Sequence, residues 1–358
     1  MKKLYYLEGL RGYMSLWVFF THALTMATFP FEKEEGIGKL VVNGYWPVCI
    51  FIILSGFVTH ILLEKKEPYK WFMFRRAFRL FPVYLFCLIL SLFAMPYYQE
   101  ILQSIPWENS KNIMRIEQVD AAFNNHFSLN AISHFLLLHG LLPEKIIPAA
   151  YTIMGQAWSL TLEWQFYLVI PLFYLLVNGK LNKITSILVM LITAFLILWS
   201  KSYMPQKSFL PNLLHLFALG YFTYQFYKIE LQQNKKNYTI KFLSVFLFFL
   251  LFFDINLALI TLLWMATIYF QINPNKVSDL IFQNKIILYI GKISYSLYCI
   301  HILILALSVY IVLNIAQVEN QNIFRFAVLG LSLPLSLFVS HLTYTYIEVP
   351  FINFAKKK

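Results

Sequence analysis

The strongest constraint in this chain is the recurrence of apolar runs about as long as a lipid bilayer is thick. They cover roughly 10–29, 41–63, 77–95, 157–177, 184–200, 209–227, 241–253, 256–272, 287–313 and 324–347. A helix needs about 20 apolar residues to cross the hydrocarbon layer. Ten such runs in 358 residues leave little chain for anything else. Composition agrees: 59% of residues are hydrophobic and 13% are charged, where a soluble domain carries about 25% charge. The sequence therefore predicts an all-α, polytopic membrane protein with about ten transmembrane helices. The seventh and eighth runs are short, and "FDIN" between them also fits one kinked hairpin.

Charge placement orients the spans. The net charge of +12 alone would suit a nucleic-acid binder, but the basic residues fall between the apolar runs. With a cytoplasmic N-terminus, 21 of the 29 Lys and Arg fall in inside segments. That bias matches the positive-inside rule and puts both termini in the cytoplasm. No nucleic-acid partner is expected. One extracytoplasmic loop is long, about 96–156. Within it "SHFLLLHGLL" (133–142) is too short to span and reads as an interfacial or re-entrant piece. "MKK" before an apolar run could mark a signal peptide, but bulky Trp17, Phe19 and Phe20 favour a retained first helix. The chain reads as a single membrane domain, 1–358, with no attached soluble domain. Cys49, Cys87 and Cys299 lie in apolar runs without metal or redox spacing and read as small core residues.

Ionisable groups inside a membrane are costly and mark functional candidates. Here they are His22, His60, Glu163, His215, His301 and Glu348. In "EGLRGYMSLWVFFTH" Arg11 and His22 stand eleven residues apart. On a helix they share a face to within about 20°, roughly 16 Å apart along the axis. A cation at the base and an imidazole above it suit transfer of a group along that face. An interfacial anchor and a helix–helix hydrogen bond would explain the same two residues. In "RRAFRLFPVY" Arg75, Arg76 and Arg79 share one helix face. Three guanidiniums could hold a polyanion through bidentate phosphate contacts, or they could anchor the cytoplasmic rim. Glu163 lies at a depth close to that of His22 and needs a partner, either that imidazole or a Tyr, Ser or Trp on another span. His301 could line the same cavity or pack between helices. His60 and Glu348 fall near the cytoplasmic rim, within reach of water. No metal-ligand spacing occurs, and no metal is expected.

Several motifs together resemble one family. They are "EGLRG" followed by His22, "ILSGFVTHILL", the Arg75/Arg76/Arg79 cluster, "WSLTLEWQFY", "GKISYSLYCIH" and "YIEVPF". In this order, from residue 8 to about 352, they are similar to bacterial integral-membrane acyltransferases of family 3. Glu8 stands where Asp is commoner, and His60 where a basic residue is common. The resemblance implies a membrane O-acyltransferase of the bacterial inner membrane. It would move an acyl group, usually acetyl, from cytoplasmic acetyl-CoA to a hydroxyl of an extracytoplasmic or membrane-associated carbohydrate acceptor. His22 and Glu163 would be the catalytic pair. Arg11, Arg75, Arg76 and Arg79 would bind acyl-CoA, and membrane lipid would surround the chain. Many relatives carry a C-terminal extracytoplasmic hydrolase-like domain, and this sequence stops at "AKKK", which leaves open a separate extracytoplasmic transferase as partner. A transporter or flippase of lipid-linked sugars is the rival class, since it too would have many spans and buried charges.

Overall fold

The computed structural model describes residues 4–30, 38, 41–65, 67–107, 110–147, 151–233 and 255–357. Every regular element among them is helical. In chain order these are α1 (Tyr5–Met26), α2 (Tyr45–Leu63), α3 (Tyr69–Gln103), α4 (Ser110–Phe135), α5 (Trp158–Val177), α6 (Lys183–Tyr203), α7 (Leu210–Gln233), α8 (Ile255–Ile272), α9 (Lys276–Phe282), α10 (Lys285–Tyr310), α11 (Gln321–Thr343) and α12 (Val349–Lys356). Single 3₁₀ turns occur at His139–Leu141 and Gly155–Ala157, and π turns at Ile311–Ile315 and Tyr344–Glu348.

Seven described helical stretches are long and apolar enough to cross a membrane: α2, α3, Gly155–Leu176, α6, α8, Lys285–Ile315 and Gln321–Lys356. Two more expected spans, α1 and α7, form long helices but carry more polar residues, Glu8, Arg11 and His22 on one and Asn212, His215 and Lys228 on the other. The expected span 241–253 lies outside the described residues. Pro82, Pro96, Pro171 and Pro334 sit inside helices. Such prolines are tolerated in membrane helices because neighbouring groups answer the freed carbonyls. Large apolar side chains face outward, among them Phe93, Ile184, Leu191 and Leu198. A surface of that kind belongs against acyl chains.

The third helix is much longer than its apolar run. It starts at Tyr69, takes in Arg75, Arg76 and Arg79, and continues to Gln103. Much of the stretch expected as a loop is therefore helical, since α4 follows within a few residues. The segment "SHFLLLHGLL" is no span. It finishes α4, reverses at Leu137 in a left-handed backbone conformation (φ 56°) and enters the turn His139–Leu141. The Gly140 amide donates to Thr161 Oγ1 of α5 (3.2 Å).

The chain forms two compact units. One holds the residues up to Thr21, Asn43–Glu64 and His215–Tyr295. Its core is aromatic: Phe57 packs edge-on against Tyr224, Tyr227 and Trp264, and Trp264 Nε1 donates to Thr223 Oγ1. Two glycines set the α2–α7 approach. A Cβ on Gly56 would lie 2.4 Å from the Phe217 carbonyl oxygen, and one on Gly220 would lie 2.1 Å from that of Ile53. Close backbone approach through small residues is how membrane helices gain packing energy without a hydrophobic effect between them. At the end of α2, Glu64 accepts from Lys228 Nζ (2.7 Å) and from Tyr224. The second unit holds His22–Val42, Lys65–Leu214 and Ser296–Lys358. There α12 packs along α3, which also packs on α4 and α5. Phe74 and Phe78 meet Phe351 and Phe354 in a ring cluster.

Gly56→Ala and Gly220→Ala each force α2 and α7 apart, at a cost of about 1–3 kcal/mol. The expected outcome is a clearly lower unfolding midpoint in detergent for either variant. Ala at Gly179, where a Cβ meets nothing but φ is +65°, tests backbone strain alone and should cost about 1 kcal/mol.

Candidate functional site

The stretch "EGLRG" is glycine-flanked for a packing reason. A Cβ on Gly12 would lie 2.4 Å from the Ile287 carbonyl oxygen, and one on Gly291 would lie 2.1 Å from that of Glu8. This contact brings Arg11 Nη2 to Ser294 Oγ at 2.9 Å, with Glu8 at 3.9 Å. Arg11 and His22 belong to the same 22-residue helix, as their spacing predicts.

His22 lies against His301 of α10, with ring centroids 5.2 Å apart at 45°. His301 is 1% exposed, and its Nδ1 lies 2.9 Å from the Tyr298 carbonyl and 3.1 Å from that of Leu297. A carbonyl only accepts, so Nδ1 carries the proton and Nε2 presents a lone pair. The contact brings the two imidazoles together, as either reading of His301, lining a shared cavity or packing between helices, allows. Further electrostatic neighbours of His22 are Arg115 and Lys111.

Arg115 was passed over in the sequence, where it is one of few basic residues in a long polar stretch. Its Nη2 donates to the Thr152 carbonyl (2.6 Å), and its guanidinium lies against Gly155, where a Cβ would meet it at 3.2 Å. The "WSL" block is tied to α10 beside this point. Ser159 Oγ and Tyr298 OH are 2.7 Å apart, Tyr298 donates to the Gln156 carbonyl, and Gln156 Nε2 donates to the Cys299 carbonyl (2.9 Å). Glu163 accepts from Tyr167, one turn on along α5. The donor is neutral but stands on the same helix, not on another span as expected.

The arginine cluster divides into three environments. Arg75 is ion-paired with Glu67. Arg76 stacks over Phe72 (5.9 Å) and Tyr167 (5.6 Å), a cation–π arrangement that suits guanidinium. Arg79 Nη1 donates to Glu348 Oε1 at 2.6 Å, and Ser296 Oγ donates to Oε2 at 2.7 Å. Glu348 is 1% exposed, so the water-accessible position expected for it is corrected. The chain turns it inward through a π turn and answers it with Arg79. His60, expected in water as well, is 6% exposed and stacks on Tyr221 with centroids 4.2 Å apart.

A second imidazole pair sits outside the spans. His134 and His139 are fully buried and stacked, with centroids 4.0 Å apart and planes 5° apart. Burial pushes the His134 imidazole down to about 4, helped by the Arg115 charge. Burial also holds His139 well below its usual value, and a charge on His134 would lower it further. Among the described residues no group of three or more His, Cys, Asp or Glu could hold a metal ion.

Two predictions follow from these pairings. Arg79→Ala leaves the Glu348 carboxylate buried without its cation and should cost about 3–5 kcal/mol, whereas Arg75→Ala breaks a pair whose side chains keep 29% and 19% exposure and should cost less; thermal unfolding of the two variants checks the contrast. Second, the folded-state pKa of His134 lies below the ordinary 6.5, so its contribution to stability is complete above about pH 6.5. It is lost as pH falls toward 4, because the unfolded chain takes up the proton first. The unfolding midpoint should drop over that window, and more shallowly in His139→Phe, which keeps a ring and removes one titrating group.

The chain is 26% identical over 178 residues to an acyltransferase, MdmB, of Streptomyces mycarofaciens, covering 48% of this chain and 39% of that protein. It is 25% identical over 390 aligned positions to a provisionally named O-acetyltransferase of Staphylococcus aureus strain COL, covering 98% of this chain and 58% of that protein. A counterpart in strain N315 aligns to the same extent. The chain thus spans less than two thirds of the length of each of these relatives. No solved structure matches it. Residues 4–341 match the family model described as an acyltransferase domain, and the chain belongs to that family, acyltransferase 3.

Proposed function

We propose that this protein is a multi-pass membrane O-acyltransferase. It takes an acyl group, acetyl by the names of its relatives, from acyl-CoA and passes it to a hydroxyl of a membrane-associated or extracytoplasmic glycan. The observation that carries this reading is the meeting of His22 with His301 inside a chain of the acyltransferase family.

The chemistry needs a base for the acceptor hydroxyl, an electrophilic thioester and a path for the leaving thiolate. A neutral imidazole is suited to the first role. His22 takes the hydroxyl proton as the oxygen attacks the thioester carbonyl, and returns it to the departing CoA thiolate. His301, with its proton fixed on Nδ1 by backbone carbonyls, packs against the His22 ring and helps to position it. A covalent acyl-His22 intermediate would use the His22 lone pair as a nucleophile. Glu163 serves through the Tyr167 hydroxyl that it holds.

On this reading the donor enters by the arginine cluster. Arg75 has 29% side-chain exposure, and its partner Glu67 keeps 19% where Glu348, the partner of Arg79, keeps none. Arg76 keeps its Nε buried without a hydrogen-bond partner among the described residues. Arg79 is committed to Glu348 and acts by holding that end of the site together. Arg11 lies at the N-terminal end of the helix that carries His22 and would meet the donor before the imidazole does. The cytoplasmic side for the donor, the inner membrane as location and a separate extracytoplasmic transferase as partner all belong to this proposal.

The test uses membranes of the native cells, which supply the acceptor, and acetyl-CoA labelled in the acetyl group. Wild-type membranes should incorporate alkali-labile label. His22→Ala should lower incorporation by about 10²–10⁴-fold while the protein stays inserted and folded. Wild-type incorporation by His22→Ala would refute the role given to this imidazole. In purified protein Arg75→Ala should weaken acetyl-CoA binding with little change in maximal rate.

A further inference from the structure

We propose that Arg115 is a catalytic residue of the transfer, the hydrogen-bond donor that stabilises the negative oxygen formed when the thioester carbonyl is attacked. The inference rests on the acyl-transfer reading above and assigns a group that this reading still lacks. An imidazole base explains how the hydroxyl is activated. It does not explain what receives the charge pushed onto the carbonyl oxygen, commonly the largest requirement in acyl transfer.

Four observations converge on Arg115. Its Nη1 is buried and has no hydrogen-bond partner among the described residues, although Nη2 of the same group is held at 2.6 Å by the Thr152 carbonyl. A buried guanidinium nitrogen without an acceptor costs free energy, so a chain that keeps one invites an acceptor from outside. The guanidinium is also fixed in direction, by Thr152 on one side and by Gly155 beneath it, where no side chain blocks its approach. Arg115 and Gln156 line one cleft, together with Tyr98, Met95, Gly155 and Ile302, the residue next to His301. Gln156 has its Nε2 engaged by the Cys299 carbonyl, and its Oε1 is buried with no partner among the described residues. One donor and one acceptor, both unsatisfied, thus belong to residues that line the same small space. Finally, Arg115 is an electrostatic neighbour of His22.

The step balances as follows. The acceptor hydroxyl, oriented by Gln156 Oε1, gives its proton to His22 as its oxygen bonds to the thioester carbon. The carbonyl π pair moves to oxygen, and the resulting anion accepts from Arg115 Nη1. When the carbonyl reforms, the carbon–sulfur bond breaks and the CoA thiolate takes the proton from His22. The products are an O-acyl ester and CoA thiol, with no other reactant.

The experiment follows labelled acetyl from acetyl-CoA into alkali-labile product in native membranes carrying wild-type protein, Arg115→Ala, Arg115→Lys, Gly155→Ala or His22→Ala. Acetyl-CoA affinity is measured in parallel on each purified protein. Arg115→Ala should lose about 10²–10³-fold in rate with acetyl-CoA affinity unchanged. Added guanidinium ion should restore part of that rate, which a purely structural role would not give. Gly155→Ala, which pushes the guanidinium aside by a few tenths of an ångström, should slow transfer several-fold with Arg115 still present. Wild-type rate in Arg115→Ala, or loss of rate matched by loss of acetyl-CoA affinity, would overturn the proposal. If Arg115→Ala fails to fold, wild-type rates in both Arg115→Lys and Gly155→Ala would overturn it. Label lost in His22→Ala but kept in Arg115→Ala would sink this inference alone. Wild-type membranes that take up no label would overturn the acyl-transfer reading itself, and this inference with it.

Discussion

A polar group between apolar helices has no water to turn to, so each must be answered by another part of the chain. In this protein one helix supplies most of the answers. Along α10, Ser294 takes the Arg11 guanidinium, Ser296 the Glu348 carboxylate, Tyr298 and the Cys299 carbonyl the "WSL" block, and His301 the His22 ring. Their spacing, 294, 296, 298, 299 and 301, does not keep to one helical face. The helix presents polar atoms to several neighbours at once. That explains why "GKISYSLYCIH" is so much more polar than the "ILILAL" that follows it.

The helical architecture was legible because it rests on a property that sequence carries directly, the length of apolar runs. Nine of the ten expected spans coincide with described helices to within a few residues at most ends, and the remaining one lies outside the described residues. What was not legible is where a helix continues past its apolar part. The third helix runs on to Gln103, and α4 is helical over a polar stretch with a low apolar content, "SKNIMRIEQVDAAF". A signal existed in Ile113, Ile116 and Val119 at helical spacing, with Val119 buried. Beside spans of unbroken hydrophobicity such a weak stripe is easily taken for loop.

The site divides along the same line. Arg11 and His22 could be placed on one helix because they are neighbours along the chain. His301, Arg115 and the Glu348–Arg79 pair could not, because His22 and His301, and Arg79 and Glu348, are 269 or more residues apart and no periodicity records a contact of that kind. Composition even misdirects for Glu348. A carboxylate near the end of the last apolar run looks like a residue at the water boundary, yet the π turn Tyr344–Glu348 rotates it inward. Arg115 was hidden for another reason: an arginine in a polar segment is unremarkable until the backbone of Gly155 is seen beneath its guanidinium.

These pairings also change the meaning of the arginine cluster. Three guanidiniums on one face suggest a clamp in which each contributes alike to a phosphate. Their partners make them unequal. Glu348 is fully buried, so moving Arg79 away would strand a charge at a cost of several kcal/mol, more than one phosphate contact returns. Arg76 is held between two rings and trades little by turning its edge toward an anion. Arg75 is paired with a carboxylate that keeps 19% side-chain exposure where Glu348 keeps none, so exchanging Glu67 for a phosphate oxygen costs less than exchanging Glu348. A donor arriving there would release Glu67 from Arg75, and the strength of binding would follow the difference between two screened ion pairs. The cluster is better understood as one exchangeable cation set beside two structural ones.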